Sequence, residues 1–146
     1  MKGRVFVDTN IITYAHLTDE REKHEAAVLL LRDRTVDSNL WISTQILSEF
    51  YSSMSKNKVA HEAIVGFITP MIHSMNILAV SVETVKMALI IKGNYKFSYW
   101  DSLMLSAALE CNCDVVYSED LQHNQVIEGS LTIVNPFVSM PEKTKK

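Results

Sequence analysis

The chain has 146 residues and a formal net charge of −3, with 47% hydrophobic and 21% charged residues. This size and composition are typical of one folded soluble domain, and the scarcity of glycine (4 residues) and proline (3 residues) disfavours sandwich and barrel architectures with many tight turns. The negative net charge excludes a global basic field, so a polyanionic ligand would have to be held locally.

The N-terminal residues begin like a signal peptide, but Asp8 and Asn10 interrupt the apolar run before a secretory core forms. No uninterrupted apolar stretch is long enough to span a membrane. Cys111 and Cys113 form a C-x-C pair without a second cysteine pair or an adjacent histidine, which disfavours zinc and favours reduced structural thiols. We therefore expect a cytoplasmic protein with no membrane partner.

Strand-like and helix-like segments alternate along the chain, which is the pattern of βαβ units and of a parallel sheet covered on both faces. The first half is predicted to contain, in order, a strand over 4–7, a helical turn over 10–15, a helix over 21–34, a strand over 40–43 and a helix from a Thr44 cap to about residue 56.

The second half continues the alternation. It is predicted to contain a helix over about 60–75 that Pro70 should kink or split, a strand over 77–80, a helix over 81–92 stopped by Gly93 and Asn94, a helix over about 98–111 and strands over 115–117 and 131–134. Ser98 and Asp101 resemble a capping box at the start of the last helix. The fold class is therefore α/β, with a mainly parallel five-stranded sheet, one domain over residues 1–137 and a C-terminal tail over 138–146.

Two of the predicted buried strands stop at a segment that carries a carboxylate. Asp8 ends the first strand, and Asp120 follows the strand over 115–117. Ligands of open α/β sheets bind just beyond the carboxyl ends of the strands, so these acids are candidate site residues. Taken singly, Asp8 and Asn10 could equally be helix caps, and Asp120 could initiate a turn.

Asp101 is predicted to face inward from its helix. The helix has a polar stripe of Ser102, Ser106 and Glu110, and Asp101 is offset from that stripe by about 100° of rotation or more. An unpaired buried carboxylate must be neutralised by a proton, a base or a metal, although Asp101 could also serve as a first-turn acid. Glu49 lies opposite the apolar stripe of its own helix, and periodicity leaves it either on the surface or in a groove above the sheet.

If Asp8, Asp101 and Asp120 converge, their mutual repulsion would be severe without a cation. Clustered carboxylates without histidine or cysteine are hard oxygen ligands, which suit Mg²⁺ or Mn²⁺. Such a site would perform metal-assisted attack on phosphorus, with one or two ions activating water and stabilising the leaving oxygen.

Four segments together resemble PIN-domain ribonucleases, and specifically the VapC-type toxins of bacterial toxin–antitoxin pairs. The segments are Val5-Phe-Val-Asp8-Thr-Asn10, Ser48-Glu49-Phe50, Ser98-Tyr-Trp-Asp101-Ser-Leu and Tyr117-Ser-Glu-Asp120-Leu-Gln-His. The run from Val126 to Phe137 is similar to the closing segment of that family. Asn124 stands where relatives often carry glycine, and the neighbouring His123 is expected to face solvent rather than to contact phosphate.

The resemblance implies a three-layer α/β/α sandwich in which four acids gather at the carboxyl edge of the sheet. Asp8 and Asp101 would be the principal ligands of one or two Mg²⁺ or Mn²⁺ ions, and Asp120 and Glu49 would complete the cluster. Asn10 and Ser118 would hold the acids or touch phosphate. The implied function is a metal-dependent endoribonuclease that cleaves RNA as a growth-inhibiting toxin, forms a homodimer and is masked by a small cognate antitoxin.

Two other functions stay open at this stage. A phosphatase of the haloacid dehalogenase type also begins with a strand ending in aspartate, but it commonly places a second aspartate where this chain has Asn10. A non-enzymatic binding module of the PIN fold would have no need for a repulsive set of four acids.

Overall fold

The computed structural model describes residues 3–140, which form six strands and six helices in an α/β arrangement. The elements in chain order are β1 Val5–Val7, α1 Thr9–His16, α2 Arg21–Val36, β2 Leu40–Ser43, α3 Thr44–Lys56, α4 His61–Ser74, β3 Asn76–Leu78, α5 Val82–Tyr95, α6 Tyr99–Glu110, β4 Val115–Tyr117, β5 Val126–Ile127 and β6 Leu131–Val134.

The strands form one sheet in the order β3-β2-β1-β4-β6-β5, in which only the β5–β6 pair is antiparallel. All three residues of β1 are buried, as expected for a central strand of short apolar residues covered on both faces. Val7 of β1 pairs with Tyr117 of β4 in parallel register. The residues that follow these two strands therefore emerge side by side at one edge of the sheet.

Helices cover this sheet to give the three-layer α/β/α fold, and the predicted fold class is confirmed. Helix α1 packs against α2 and α3, α3 packs against α4, and α5 packs against α6. Within the described chain no helix combines the length and the hydropathy needed to cross a membrane. The predicted domain limits stay a prediction, and most of the predicted tail lies outside the described residues.

The predicted count of five strands is wrong, because residues 3–140 contain a sixth strand, β5. This strand has only two residues and pairs with β6 through a turn in which Glu128 and Gly129 have φ angles of 50° and 70°. Two residues are too few to show a strand period, and glutamate is a poor signal for a left-handed turn.

Two predicted helix boundaries are also wrong. Thr44 is the first residue of α3 rather than its cap, and its hydroxyl accepts the Val80 backbone N–H at 3.1 Å. Helix α5 continues through Gly93 and Asn94 and ends at Tyr95, with Lys96 as its C-cap at a φ of 61°. The Thr44 hydroxyl is thus used in a tertiary hydrogen bond rather than in capping α3. A lysine in the left-handed region, rather than Gly93 or Asn94, follows the last residue of α5. Helix α4 is not split, since it runs through Pro70 to Ser74.

Helix α6 is buried at every position from Ser102 to Ala108, including Ser102 and Ser106 of its polar stripe, whereas Glu110 of that stripe is exposed. The Ser106 hydroxyl donates to the Thr84 carbonyl oxygen of α5 at 2.7 Å, and the Thr84 hydroxyl donates to Glu110 at 2.6 Å. Ser106 and Glu110 of the stripe thus contact α5 through Thr84, whereas the Ser102 hydroxyl donates to the Ser98 carbonyl oxygen at the start of its own helix.

We predict that Ser106→Leu lowers the free energy of unfolding by about 1–3 kcal/mol, because the larger side chain overpacks the α5–α6 contact. Ser106→Ala removes only the hydrogen bond to Thr84 and should cost about 1 kcal/mol. Urea denaturation measures both effects. The matched control is Ser52→Leu at an exposed position of α3, and an equal loss in this control would contradict the role of close packing.

Candidate active site

The four predicted acids line one pocket at the carboxyl edge of the sheet. Asp8, Glu49, Asp101 and Asp120 all face a cavity of about 570 Å³, which we call the acid pocket. Asp8 follows β1, Asp120 follows β4, and α3 and α6 supply Glu49 and Asp101. The open question of Glu49 is thus answered, because its side chain lies in the groove above the sheet rather than on an outer surface.

Asp8 is the most buried of these acids, with 8% of its surface exposed. Its Oδ2 accepts a hydrogen bond from the Ser118 hydroxyl at 2.8 Å, and its Oδ1 accepts the Thr9 backbone N–H at 2.7 Å. Burial raises the pKa of Asp8 to about 6; the charges of Asp101 and Glu49 act in the same direction, and the two hydrogen bonds oppose it. Asp8 is also the N-cap of α1, so the predicted capping role and the pocket position coexist.

Asp101 and Glu49 approach the pocket from two different helices. Burial raises the pKa of Asp101, and the charges of Asp120 and Glu49 add to this effect, while the Ser98 hydroxyl opposes it. Ser98 caps α6 by accepting the Asp101 backbone N–H at 3.0 Å, which is one half of the predicted capping box. Glu49 accepts hydrogen bonds from the Thr9 hydroxyl at 2.9 Å and from the Gln45 amide at 3.1 Å.

The fourth acid, Asp120, is exposed at the mouth of the pocket. The Asn10 amide donates to its Oδ2 at 3.0 Å, and its backbone N–H donates to the Ser118 hydroxyl at 3.3 Å. Asn10 and Ser118 therefore both hold acids, as the resemblance implied, and Ser118 links Asp8 to the segment that carries Asp120. The side-chain oxygen of Asn10 is buried without a hydrogen-bond partner.

Sequence analysis missed a second polar network that holds the segment after β4. Glu119 accepts a hydrogen bond from the Tyr14 hydroxyl at 2.6 Å and pairs with the ammonium group of Lys23. The Lys23 ammonium lies over the rings of Tyr14 and Phe137, at 5.1 and 5.6 Å from their centroids. This network ties α1, α2 and the C-terminal segment to the residue next to Asp120. The only sequence signal was a second acid beside Asp120, which is too common to be informative.

His123 is half-buried, so the expectation that it faces solvent is wrong. Its Nδ1 accepts the Asn135 backbone N–H at 3.0 Å, which anchors the loop to the end of β6. Asn124 has a φ of 69°. This is the left-handed region that glycine adopts freely and asparagine tolerates, so the substitution of glycine by asparagine keeps the loop conformation available.

The donor chemistry of the acid pocket fits a hard divalent cation. The pocket offers the oxygens of four carboxylates, and the pKa values of two of these acids, Asp8 and Asp101, are raised. It also offers the side-chain amide oxygen of Asn10, which is buried and accepts no hydrogen bond. Within residues 3–140 no three acidic, histidine or cysteine side chains stand close enough to hold an ion by themselves. Mg²⁺ is usually held by one or two carboxylates and completes its shell with water and substrate phosphate, so this geometry is compatible with such an ion.

A family model described as PIN domain matches residues 5–128, a range that includes all four acids. No curated protein sequence matches the chain significantly.

Solved structures of toxins share the fold at low sequence identity. The toxin VapC20 of Mycobacterium tuberculosis, described as cleaving the sarcin–ricin loop, is 16% identical with a TM-score of 0.63 over 77% of this chain and 86% of that chain. The VapBC2 complex of Rickettsia felis, bound to a promoter DNA fragment, is 17% identical with a TM-score of 0.67 over 90% of this chain and 98% of that chain. A toxin–antitoxin complex of Klebsiella pneumoniae is 17% identical with a TM-score of 0.65 over 90% of this chain and 97% of that chain. These likenesses establish the common fold.

The raised pKa of Asp8 predicts how the stability of the metal-free protein depends on pH. The folded state holds the Asp8 proton up to about pH 6, whereas the unfolded chain releases it near 3.8, so the free energy of unfolding should fall as pH rises between these values. The expected contribution is on the order of 3 kcal/mol. Urea denaturation in EDTA measures it, and Asp8→Asn should flatten this part of the profile. An unchanged slope in Asp8→Asn would contradict the assignment.

The network around Glu119 predicts an energetic coupling between Tyr14 and Glu119. In a double-mutant cycle of Tyr14→Phe and Glu119→Gln, we expect a coupling of about 1 kcal/mol in the free energy of unfolding. The control cycle replaces Tyr14→Phe with Tyr51→Phe, whose hydroxyl bonds to His61 on a different surface. Additive effects in both cycles would show that the Tyr14 hydrogen bond does not stabilise this segment.

Proposed function

Because the chain belongs to the PIN domain family, we propose that it is a metal-dependent endoribonuclease and the toxin of a VapC-type toxin–antitoxin pair. The observation that carries this proposal is the convergence of Asp8, Glu49, Asp101 and Asp120 on one pocket. A fold that gained nothing from a cation would have little reason to keep four mutually repelling acids together. The toxin–antitoxin structures that share the fold support the same reading.

Asp8 and Asp101 are the proposed ligands of Mg²⁺ or Mn²⁺, and Glu49 and Asp120 are proposed to bind a second ion or to orient the attacking water. When bound, the ion would polarise the phosphoryl group, lower the pKa of water and neutralise developing charge. The chain itself holds these acids in place: Ser118 and the Thr9 N–H fix Asp8, the Thr9 hydroxyl fixes Glu49, and Asn10 fixes Asp120.

The proposed substrate is an unpaired region of RNA. Single-stranded loops let a protein reach the backbone and read bases that are splayed out of the stack. The negative net charge of the chain and its four pocket acids would repel this backbone without a cation. We therefore propose that RNA binding near the acid pocket depends on the divalent ion, and that the reaction takes place in the cytoplasm.

A small cognate antitoxin and a second copy of the chain are the proposed protein partners. The antitoxin is supported by the Rickettsia felis and Klebsiella pneumoniae structures, which are toxin–antitoxin complexes. The homodimer is supported by α5, which leaves Val82, Leu89 and Ile90 more than half exposed. An apolar helix surface of this kind is typical of a protein–protein contact.

The phosphatase alternative is disfavoured by the environment of Asn10. Phosphatases of the haloacid dehalogenase type use an acid–base group at this position, whereas the amide of Asn10 donates to Asp120. Membership of the PIN domain family points in the same direction.

We predict that the purified protein cleaves single-stranded RNA in Mg²⁺ or Mn²⁺ and that EDTA abolishes the cleavage. Asp8→Asn and Asp101→Asn should each lower kcat/KM by about 1,000-fold, because metal-ion stabilisation of the transition state is worth several kcal/mol. Cleavage of a labelled oligonucleotide, followed on a denaturing gel, measures the rates.

The matched control is Asp33→Asn, which removes an exposed carboxylate from α2 and should leave the rate unchanged. Asp8→Asn protein purified in parallel detects contaminating ribonuclease. Cleavage that persists in excess EDTA, or that is equal in the Asp8→Asn preparation, would overturn the proposal.

A further inference from the structure

A second cavity adjoins the acid pocket and has a different chemistry. It has a volume of about 480 Å³ and a mainly apolar wall, and we call it the Trp100 groove; it is lined by Thr44, Gln45, Ser48, Glu49, Val80, Trp100 and Leu103. Glu49 lines both cavities. The groove therefore begins where the acid pocket ends, and a ligand strand lying in one can continue into the other.

Trp100 is a large aromatic side chain that is exposed yet held in place. It directly precedes Asp101 in α6, and 61% of its surface is exposed. The Gln45 amide donates to the Trp100 carbonyl oxygen at 2.9 Å, which fixes this turn of α6 to α3. The Tyr99 ring packs edge-to-face against the indole, with 5.2 Å between centroids. The exposed indole is thus preorganised beside a proposed metal ligand.

Gln45 connects the groove to the acid pocket. It is 8% exposed, and its amide nitrogen donates both to Trp100 and to Glu49. The side-chain carbonyl oxygen Oε1 of Gln45 is also buried, and no donor hydrogen-bonds to it. A buried acceptor without a partner is costly, and an N–H edge of a ligand could remove that cost after a small shift of the Gln45 side chain.

We propose that the Trp100 groove binds one unpaired nucleobase of the RNA strand, next to the phosphate held in the acid pocket. The inference rests on the proposed nuclease function and adds a base-binding subsite to it. Unpaired bases stack on exposed aromatic side chains, and the apolar groove wall accommodates the flat faces of a base. Because the chain has no global positive charge, an uncharged stacking contact is a suitable way to hold the strand.

The test compares Trp100→Ala with the unaltered protein on two phosphodiesters, one with bases and one without. On single-stranded RNA, Trp100→Ala should lower kcat/KM by roughly 10- to 100-fold, and Trp100→Phe should retain most of the activity, because an aromatic face remains. On an abasic phosphodiester oligomer of the same length, which has no aromatic ring to stack on Trp100, Trp100→Ala should match the unaltered protein. The control is Val36→Ala, which removes an exposed apolar side chain at the end of α2.

A binding measurement tests the subsite without depending on cleavage. Fluorescence anisotropy of a labelled single-stranded RNA, with Ca²⁺ in place of Mg²⁺ to slow cleavage, gives Kd for the unaltered protein and for Trp100→Ala, so that all four pocket acids are kept. We expect a Kd roughly tenfold or more higher in Trp100→Ala. A loss of binding of this size supports the subsite even if neither phosphodiester is hydrolysed, in which case the proposed nuclease function alone fails.

Three outcomes would overturn the subsite. An equal loss on both phosphodiesters would make Trp100 a support for Asp101. Unchanged RNA cleavage and unchanged Kd in Trp100→Ala would show that the groove holds no base. A change in molar mass by light scattering, found for Trp100→Ala and not for Val36→Ala, would assign the groove to contact between copies of the chain.

Discussion

The buried carboxylate of Asp8, at the end of the central strand, is the constraint on which the site depends. Its position follows from β1, whose three apolar residues place the next side chain at the sheet edge under the surrounding helices. A carboxylate removed from water resists ionisation, which the pKa of about 6 expresses. The hydrogen bonds from Ser118 and Thr9 stabilise the anion only in part. This incomplete compensation supports the proposed divalent cation.

The parallel sheet brings the other groups to the same place. Because β1 and β4 are parallel neighbours in register, Ser118 follows β4 beside Asp8, and Asp120 lies two residues farther on. Asn10 and the Glu119 network then fix the segment that carries Asp120. Asp8, Glu49 and Asp120 thus each accept a hydrogen bond from a side chain of another segment, which holds three of the four like charges in place.

Helix α6 joins the packing of the fold to the chemistry of the site. Its Ser106 contacts α5, while its first turn presents Trp100 and Asp101 to two adjoining cavities. Gln45 links that turn to Glu49 of α3. The acid pocket and the Trp100 groove therefore share a wall and a hydrogen-bond network, and this is why a phosphate and a neighbouring base could be held at once.

The sequence by itself determined the fold class, most of the elements and the candidate acids Asp8, Asp101 and Asp120, because strands that end in carboxylates and helical spacing are local signals, whereas Glu49 became a candidate only through the resemblance to PIN-domain ribonucleases. The burial of Ser102 and Ser106 in α6, the two-residue β5 and the Lys96 C-cap of α5 were decided only by the tertiary structure. The same holds for the contacts of Glu49, His123 and Glu119. These features depend on partners distant in sequence, and periodicity along one element carries no information about what that element packs against.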